Sequence, residues 1–442
     1  PAEQHTLNRL AVCPGAFSVR AAGKMAGAAL ADLTRLRHKS LLRSPGSGYY
    51  EFHPLIRHYA VATLDPQGRA DAEARLAEVY LAHAAEQGDA FRGTAPQDAL
   101  DAIQRELDNI HAAWQWAQAH GRDDLLLQGI TGLAEYYAAT GRSAEGEARF
   151  LSALAALPTD PVRADRPART ALHLRLLDEA CRCLIWQAKM AQALAVAQRL
   201  VAAAQAAADT EFEVRGLAHR GNALHQQGKS TAARESLEDA LALAYRAGPK
   251  GAAGEVLQTL GVVYLESGER SRAETCFQEG RELQRSQGNR LGEQRIVIYL
   301  GRLHIEDGDY QAGQRYLEEA MHLLQLTGSR PAEARIVNSL GYVDAMLGNY
   351  TAALEHHTAS RQISREIQQP IQESHALHNL CTVERKRGNL AQAEAYGQEA
   401  LRLALANDMP DAAHYARLHL GYVWLAAGHL DAAAAAFQLA GD

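Results

Sequence analysis

Apolar positions along this chain follow more than one period. "TLNRLAVCPGAFSVRAAGKMAG" reads as an apolar helix, a Pro-Gly break and a second helix of small residues. "ALADLTRLRHKSLLRS" is a third helix whose end runs into a strand. "PGSG" has turn chemistry and "YYEFH" reads as a second strand, so the order is three helices and a hairpin. In "YYEFHPLIRHYA" the strand gives way to a helix at a His-Pro step. Further on, Leu107, Ile110, Trp114 and Ala117 share one helical face, which predicts a packing stripe. Trp114 and Trp116 are expected as core or interdomain contacts rather than ligand contacts.

From about residue 131 a longer period takes over. A turn residue recurs at Gly228, Gly268, Gly308, Gly348, Gly388 and Gly428, each forty residues after the last, and one step back lands on Ala188. Seven residues before each stands a small residue: Cys181, Gly221, Gly261, Gly301, Gly341, Cys381 and Gly421. Five residues after each comes another: Ala193, Ala233, Ala273, Gly313, Ala353, Ala393 and Ala433. Two antiparallel helices joined by a tight glycine turn approach closely only where such residues line the contact. Leu237, Phe277, Leu317 and Phe437 are then expected to fill the gap towards the next pair. An earlier, degenerate copy is "LAEYYAATGRSAEGEARFLSA", and the spacing to the following turn grows at the proline-rich "LPTDPVRADRPA".

"SLGYVDAMLGNYTAALEHH" and "TLGVVYLESGERSRAETCFQEG" resemble tetratricopeptide repeats in a forty-residue form. The expected fold is all-α: a right-handed α-solenoid of about eight repeats over residues 131–442. A winged-helix domain over 1–64 and a helical connector over 65–130 are expected before it. The resemblance also implies that the first helix of each pair lines a concave groove where peptides or small molecules bind. Six residues before the small position of that helix, the forty-residue step gives Arg175, Arg215, Glu255, Arg295, Arg335, His375 and Tyr415. Arg182 and Arg302 lie two helical turns further on. Such a column can grip carboxylates or phosphates bidentately, which suits a protein, an acidic peptide or a small anionic effector. Pairing with neighbouring acids such as Glu213, Glu293 and Glu333 is the structural alternative. His375 and His378, one turn apart, invite a metal reading, but no third ligand is identifiable and no metal site is expected.

"LAVCPGAFSV", "LADLTRLRHKSLL" and "YYEFHPLIRHYA" resemble the winged-helix domain that follows the nucleotide-binding core in signal-transduction ATPases with numerous domains, the STAND class. "ALDAIQRELDNIHAAWQWAQAHGRDDLLLQGITGLAEYYAATGR" resembles the helical stretch that joins this domain to the repeats in bacterial members. In that class a Met-His-Asp type motif ends the hairpin and its histidine meets the β-phosphate of ADP. The matching residues are Phe52, His53 and Pro54, which makes His53 the implied nucleotide sensor. Pro54 removes the acidic member, and with it any role needing that carboxylate. A structural role for His53, capping a proline-started helix, is the alternative.

Composition adds limits. Net charge is −7 overall, but Arg9, Arg20, Lys24, Arg35, Arg37, Lys39, Arg43 and Arg57 face only Glu3, Asp32 and Glu51 before residue 65. A basic winged helix can enter a DNA groove, whereas the STAND resemblance implies packing on the ATPase. The five cysteines, an odd number, fit a reducing compartment. No apolar run approaches the roughly 20 residues of a membrane span, so a cytoplasmic protein is the default. "AAGKMAG" lacks a phosphate-binding loop and other catalytic motifs are missing, so this chain is not expected to be an enzyme and carries no cofactor itself. The chain opens on proline and closes inside a helix, which suggests a piece of a longer protein. ADP or ATP with Mg, an upstream nucleotide-binding domain and homo-oligomerisation on activation are expectations for that whole. A constitutive repeat scaffold that docks a partner is the rival function.

Overall fold

The computed structural model describes residues 2–46, 48–92, 96–158, 167–247 and 250–441. Most of "LPTDPVRADRPA" therefore lies outside the described residues. Two compact units emerge, one of residues 1–136 with 155–175 and one of residues 137–154 with 176–442.

The first unit opens with α1 (Ala2–Leu10), β1 (Phe17–Ser18), α2 (Val19–Ala26), α3 (Leu30–His38), β2 (Leu42–Gly46), β3 (Tyr49–Phe52) and α4 (Pro54–Ala62). The three helices and hairpin stand in the anticipated order. The pattern missed β1, whose two residues are too few to show alternation; it pairs antiparallel with β3 and makes a three-stranded sheet of order β1-β3-β2. Phe17 and Phe52 meet beneath it with ring centroids 5.8 Å apart. α5 (Pro66–Arg92), α6 (Pro96–Arg105), α7 (Leu107–Ala119) and α8 (Asp123–Thr140) follow. Leu107, Ile110, Trp114 and Ala117 are all buried, so the predicted stripe packs.

Buried polar contacts tie residues 15–18 to this helical region. The Asn109 side chain accepts from the Gly15 amide at 2.9 Å and donates to the Ala16 carbonyl at 2.7 Å and to the Tyr80 hydroxyl at 3.0 Å. Buried Glu106 accepts from the Ser18 amide at 2.6 Å. Residues 1–64 and the connector thus share one compact unit.

The second unit is a run of helix pairs. α9 (Ser143–Ala156) follows α8; then come α10 (Pro167–Trp186) and α11 (Met190–Ala207), α12 (Thr210–Gln226) and α13 (Ser230–Ala247), α14 (Lys250–Glu266) and α15 (Arg270–Ser286). α16 (Arg290–Glu306) and α17 (Tyr310–Thr327), α18 (Arg330–Met346) and α19 (Tyr350–Glu366), α20 (Pro370–Arg387) and α21 (Leu390–Ala406), and α22 (Pro410–Ala426) and α23 (Leu430–Gly441) complete it. The turn column is left-handed at every step from Ala188 (φ 60°) to Gly428 (φ 82°). A second left-handed column closes the other turns at Ala208, Gly288, Gly328, Gln368 and Asp408. It escaped the sequence reading because several of its members are not glycine.

The small-residue column works within each pair. A Cβ on Gly261 would stand 2.5 Å from the Phe277 ring and one on Gly221 2.6 Å from Leu237 Cγ. The large residues expected to fill the gap to the next pair are therefore seated first on their own partner helix. Phe277 then stacks on Tyr299 of the next pair, centroids 5.6 Å apart. The row also curls back on itself: the Gly141 turn packs on Ile367, and the Gly228 turn lies against the Asp411 carboxylate.

Candidate functional site

The forty-residue column places Arg215, Glu255, Arg295 and Arg335 within electrostatic reach of one another, neighbour to neighbour, in the second unit. Arg215 is fully committed there. Its Nη1 lies 3.3 Å from Asp178 Oδ2 and its Nη2 3.0 Å from Glu211 Oε1. Asp178 also sits 2.8 Å from His219 Nε2. Burial works against the Arg215 charge, but Asp178, Glu255 and Glu211 outweigh it and hold the guanidinium pKa up. Glu255 stands between arginines: burial opposes its ionisation, yet Arg215 and then Arg295 keep the carboxyl pKa below the usual range. Arg302 is also taken, its Nε 2.6 Å from Glu306 Oε1 and its Nη1 3.9 Å from Glu266 Oε1.

Arg295 and Arg335 differ. Each has a buried Nε with no hydrogen-bond acceptor among the described residues. Burial lowers the Arg335 pKa, the neighbouring Tyr299 hydroxyl offsets part of this, and the like charge of Arg295 adds to it. The acids put forward as structural partners for the column are engaged elsewhere. Glu213 accepts from Gln205, Glu293 pairs with Arg285 and Arg290, and Glu333 pairs with Arg330. Arg175 lies in the part of α10 that belongs to the first unit. Arg182 pairs with Glu179 and lies over the Trp186 ring.

His375 is exposed, yet desolvation by the neighbouring helices and then the Arg302 charge lower its imidazole pKa. His378 turns inward, 5.6 Å from the His419 ring and 6.2 Å from Tyr415. Burial and the nearby His419 push its pKa down to about 3. The two histidines thus face different surroundings. Among the described residues no group of three His, Cys, Asp or Glu side chains is placed to hold a metal ion.

Sequence reasoning missed Asp178 and Tyr299. Tyr299 had a signal, one helical turn after Arg295; Asp178 had none, because its contact with Arg215 crosses between helix pairs.

His53 is the N-cap of α4, its Nδ1 accepting the Leu55 amide at 3.3 Å. The capping role is therefore realised. With Nδ1 an acceptor, the proton of a neutral ring resides on Nε2, which becomes a donor. Beside it Leu55 and Tyr59 are 75% and 69% exposed, large apolar side chains left in water. Four of the basic residues before residue 65 are ion-paired: Arg20 and Lys24 with Glu86, Arg35 with Asp32 and Glu3, and Lys39 with Glu3. All five cysteines are free and buried. Among the described residues no helix is long and apolar enough to cross a membrane.

The tetratricopeptide repeat family model matches residues 213–286. A "Putative HTH-type transcriptional regulator" of Mycobacterium tuberculosis is 27% identical over 299 residues, 64% of this chain and 33% of that protein. The chain thus spans one third of the length of the curated relatives it matches. Among solved structures, a STAND protein with a tetratricopeptide repeat sensor from Pyrococcus horikoshii aligns over 99% of this chain and 62% of its own, with TM-score 0.55 and 15% identity. A Rap protein complexed with competence and sporulation factor aligns over 80% of this chain and 96% of its own, with TM-score 0.57 and 13% identity. These likenesses show a helical-repeat fold of the tetratricopeptide kind.

Proposed function

We propose that this chain is the sensor and regulatory part of a STAND-type signal-transduction ATPase or transcriptional regulator, its repeats binding an effector or partner protein on the inner surface. The observation that carries this reading is the column of first-helix residues, in which Arg215 and Arg302 are ion-paired with acids while Arg295 shares Glu255 with Arg215 and Arg335 has the Tyr299 hydroxyl beside it. Its likeness to a STAND sensor over nearly the whole chain, and to a Rap protein complexed with a factor, supports it.

The first 64 residues act as a winged helix that packs against an upstream nucleotide-binding core. The donor at His53 Nε2 suits a phosphate oxygen of ADP, and exposed Leu55 and Tyr59 supply an apolar contact beside it. Mg and the adenine nucleotide belong to that core; this chain contributes the histidine contact and performs no hydrolysis. Effector binding favours the open state only as far as the two states differ in affinity, and a swing from 1:99 to 99:1 needs a ratio of about 10⁴. Nucleotide exchange and homo-oligomerisation follow. The pairing of Arg20, Lys24, Arg35 and Lys39 within the unit speaks against direct DNA contact.

Two measurements test this on the protein carrying its upstream sequence. Hydrogen exchange with an activating effector should protect the first helices α12 to α20; protection confined elsewhere refutes groove binding. Replacing His53→Ala should speed ADP release, and unchanged release refutes the sensor role. Partner binding that is indifferent to nucleotide would instead identify a constitutive scaffold.

A further inference from the structure

We infer that Arg295 and Arg335 form a receptor for one oxyanion group of the effector, a phosphate or carboxylate, with Glu255 as its internal competitor. The inference rests on the proposal that the groove binds an effector, and it specifies which part of that groove reads charge.

Charge compensation varies along the column. Arg215 has Asp178, Glu211 and Glu255 about it. Arg302 has Glu306 and Glu266. The acid that acts on Arg295 is Glu255, which Arg215 also attracts. The groups acting on Arg335 are the Tyr299 hydroxyl and the like charge of Arg295, with no carboxylate among them. A guanidinium offers five N–H donors in a planar fork, and a buried donor left without an acceptor is destabilising. Here the Nε of both groups is buried without an acceptor among the described residues. Two neighbouring forks of like charge are best satisfied together by a group with at least two anionic oxygens, which accepts from both and removes their repulsion.

Glu255 sets the threshold. It draws Arg295 towards Arg215, so an arriving oxyanion competes with an internal carboxylate for the same guanidinium. Winning that competition shifts charge between α14 and α16, helices of adjacent pairs, and links occupancy to the way those pairs pack. His375, the column position after Arg335, stays neutral near pH 7 and adds a hydrogen bond without a fixed charge.

The test uses the full chain at low salt with two probes, inorganic pyrophosphate and a tetraglutamate peptide, titrated by calorimetry. Arg295→Gln and Arg335→Gln should each weaken binding about tenfold or more, the loss of one charge-assisted contact. Glu255→Gln should tighten it several-fold, and Arg302→Gln should leave it within about twofold, because that side chain is already paired. Pyrophosphate binding alone assigns the site to small phosphates; tetraglutamate binding alone assigns it to acidic peptides.

A ligand-free readout runs the other way. Arg335→Gln should keep or raise Tm, since it removes an uncompensated charge. A clear fall in Tm, unchanged affinity in both arginine variants, or failure of both probes to bind overturns the inference. If both probes fail while another effector still protects the groove helices, the proposed function stands and only the oxyanion receptor falls.

Discussion

The two units solve the same problem by different means. In the second unit several helix pairs repeat one steric fit, a large residue of the second helix pressed onto a small residue of the first, as Phe277 on Gly261, Leu237 on Gly221 and Phe437 on Gly421. The first unit has no period, and its irregular segment at residues 15–18 is held by the side chains of Asn109 and Glu106. Redundant contacts should confine damage to neighbours; single polar contacts should pass it to the whole unit.

The largest expected effect is on the repeats. Phe277→Ala empties a fully buried site and should cost about 4 kcal/mol. Hydrogen exchange should rise in α14 to α16 and stay near native in the other pairs; a rise throughout the second unit would break the comparison. Asn109→Ala leaves the Gly15 amide and Ala16 carbonyl without partners, an expected cost of about 3 kcal/mol. Its exchange should rise across the first unit as a whole, and a change limited to residues 15–18 would count against the single-contact view.

Acid should sharpen the contrast. His357 is fully buried, with Nδ1 2.8 Å from Asn338 Oδ1, and burial followed by the His356 charge pushes its pKa down to about 4. Below pH 6.5 the unfolded chain takes up a proton that the folded one refuses. Stability, intact above that pH, should therefore fall as pH drops towards 4, by on the order of 3 kcal/mol from this residue. Denaturant titrations of the native protein and of His357→Gln should diverge over this window, with the variant flatter; parallel curves would remove His357 as the cause. The smallest effect is a gain. Gln368 holds φ 54°, so Gln368→Gly should stabilise by up to about 1 kcal/mol, read as a rise in Tm.

Legibility followed the same division. The glycine turn column was plain because a left-handed turn selects glycine, whereas Ala208, Gln368 and Asp408 hold that conformation without it. The arginine column could be found by counting forty residues. Its division into committed and uncommitted members could not, since Asp178 reaches Arg215 across helix pairs and the suggested partners Glu213, Glu293 and Glu333 are occupied elsewhere. His53 had a double reading, and the structure realises the cap while leaving a donor on the opposite side of the ring.

By itself the sequence determined the repeat length, the turns and the small-against-large fit, because these depend on residues within one pair and recur often enough to reveal the rule. Only the tertiary structure decided which charges are compensated, that Gly141 packs on Ile367, and that Asn109 anchors the first unit. Such contacts join residues far apart in the chain, and long-range proximity leaves no local spacing to read.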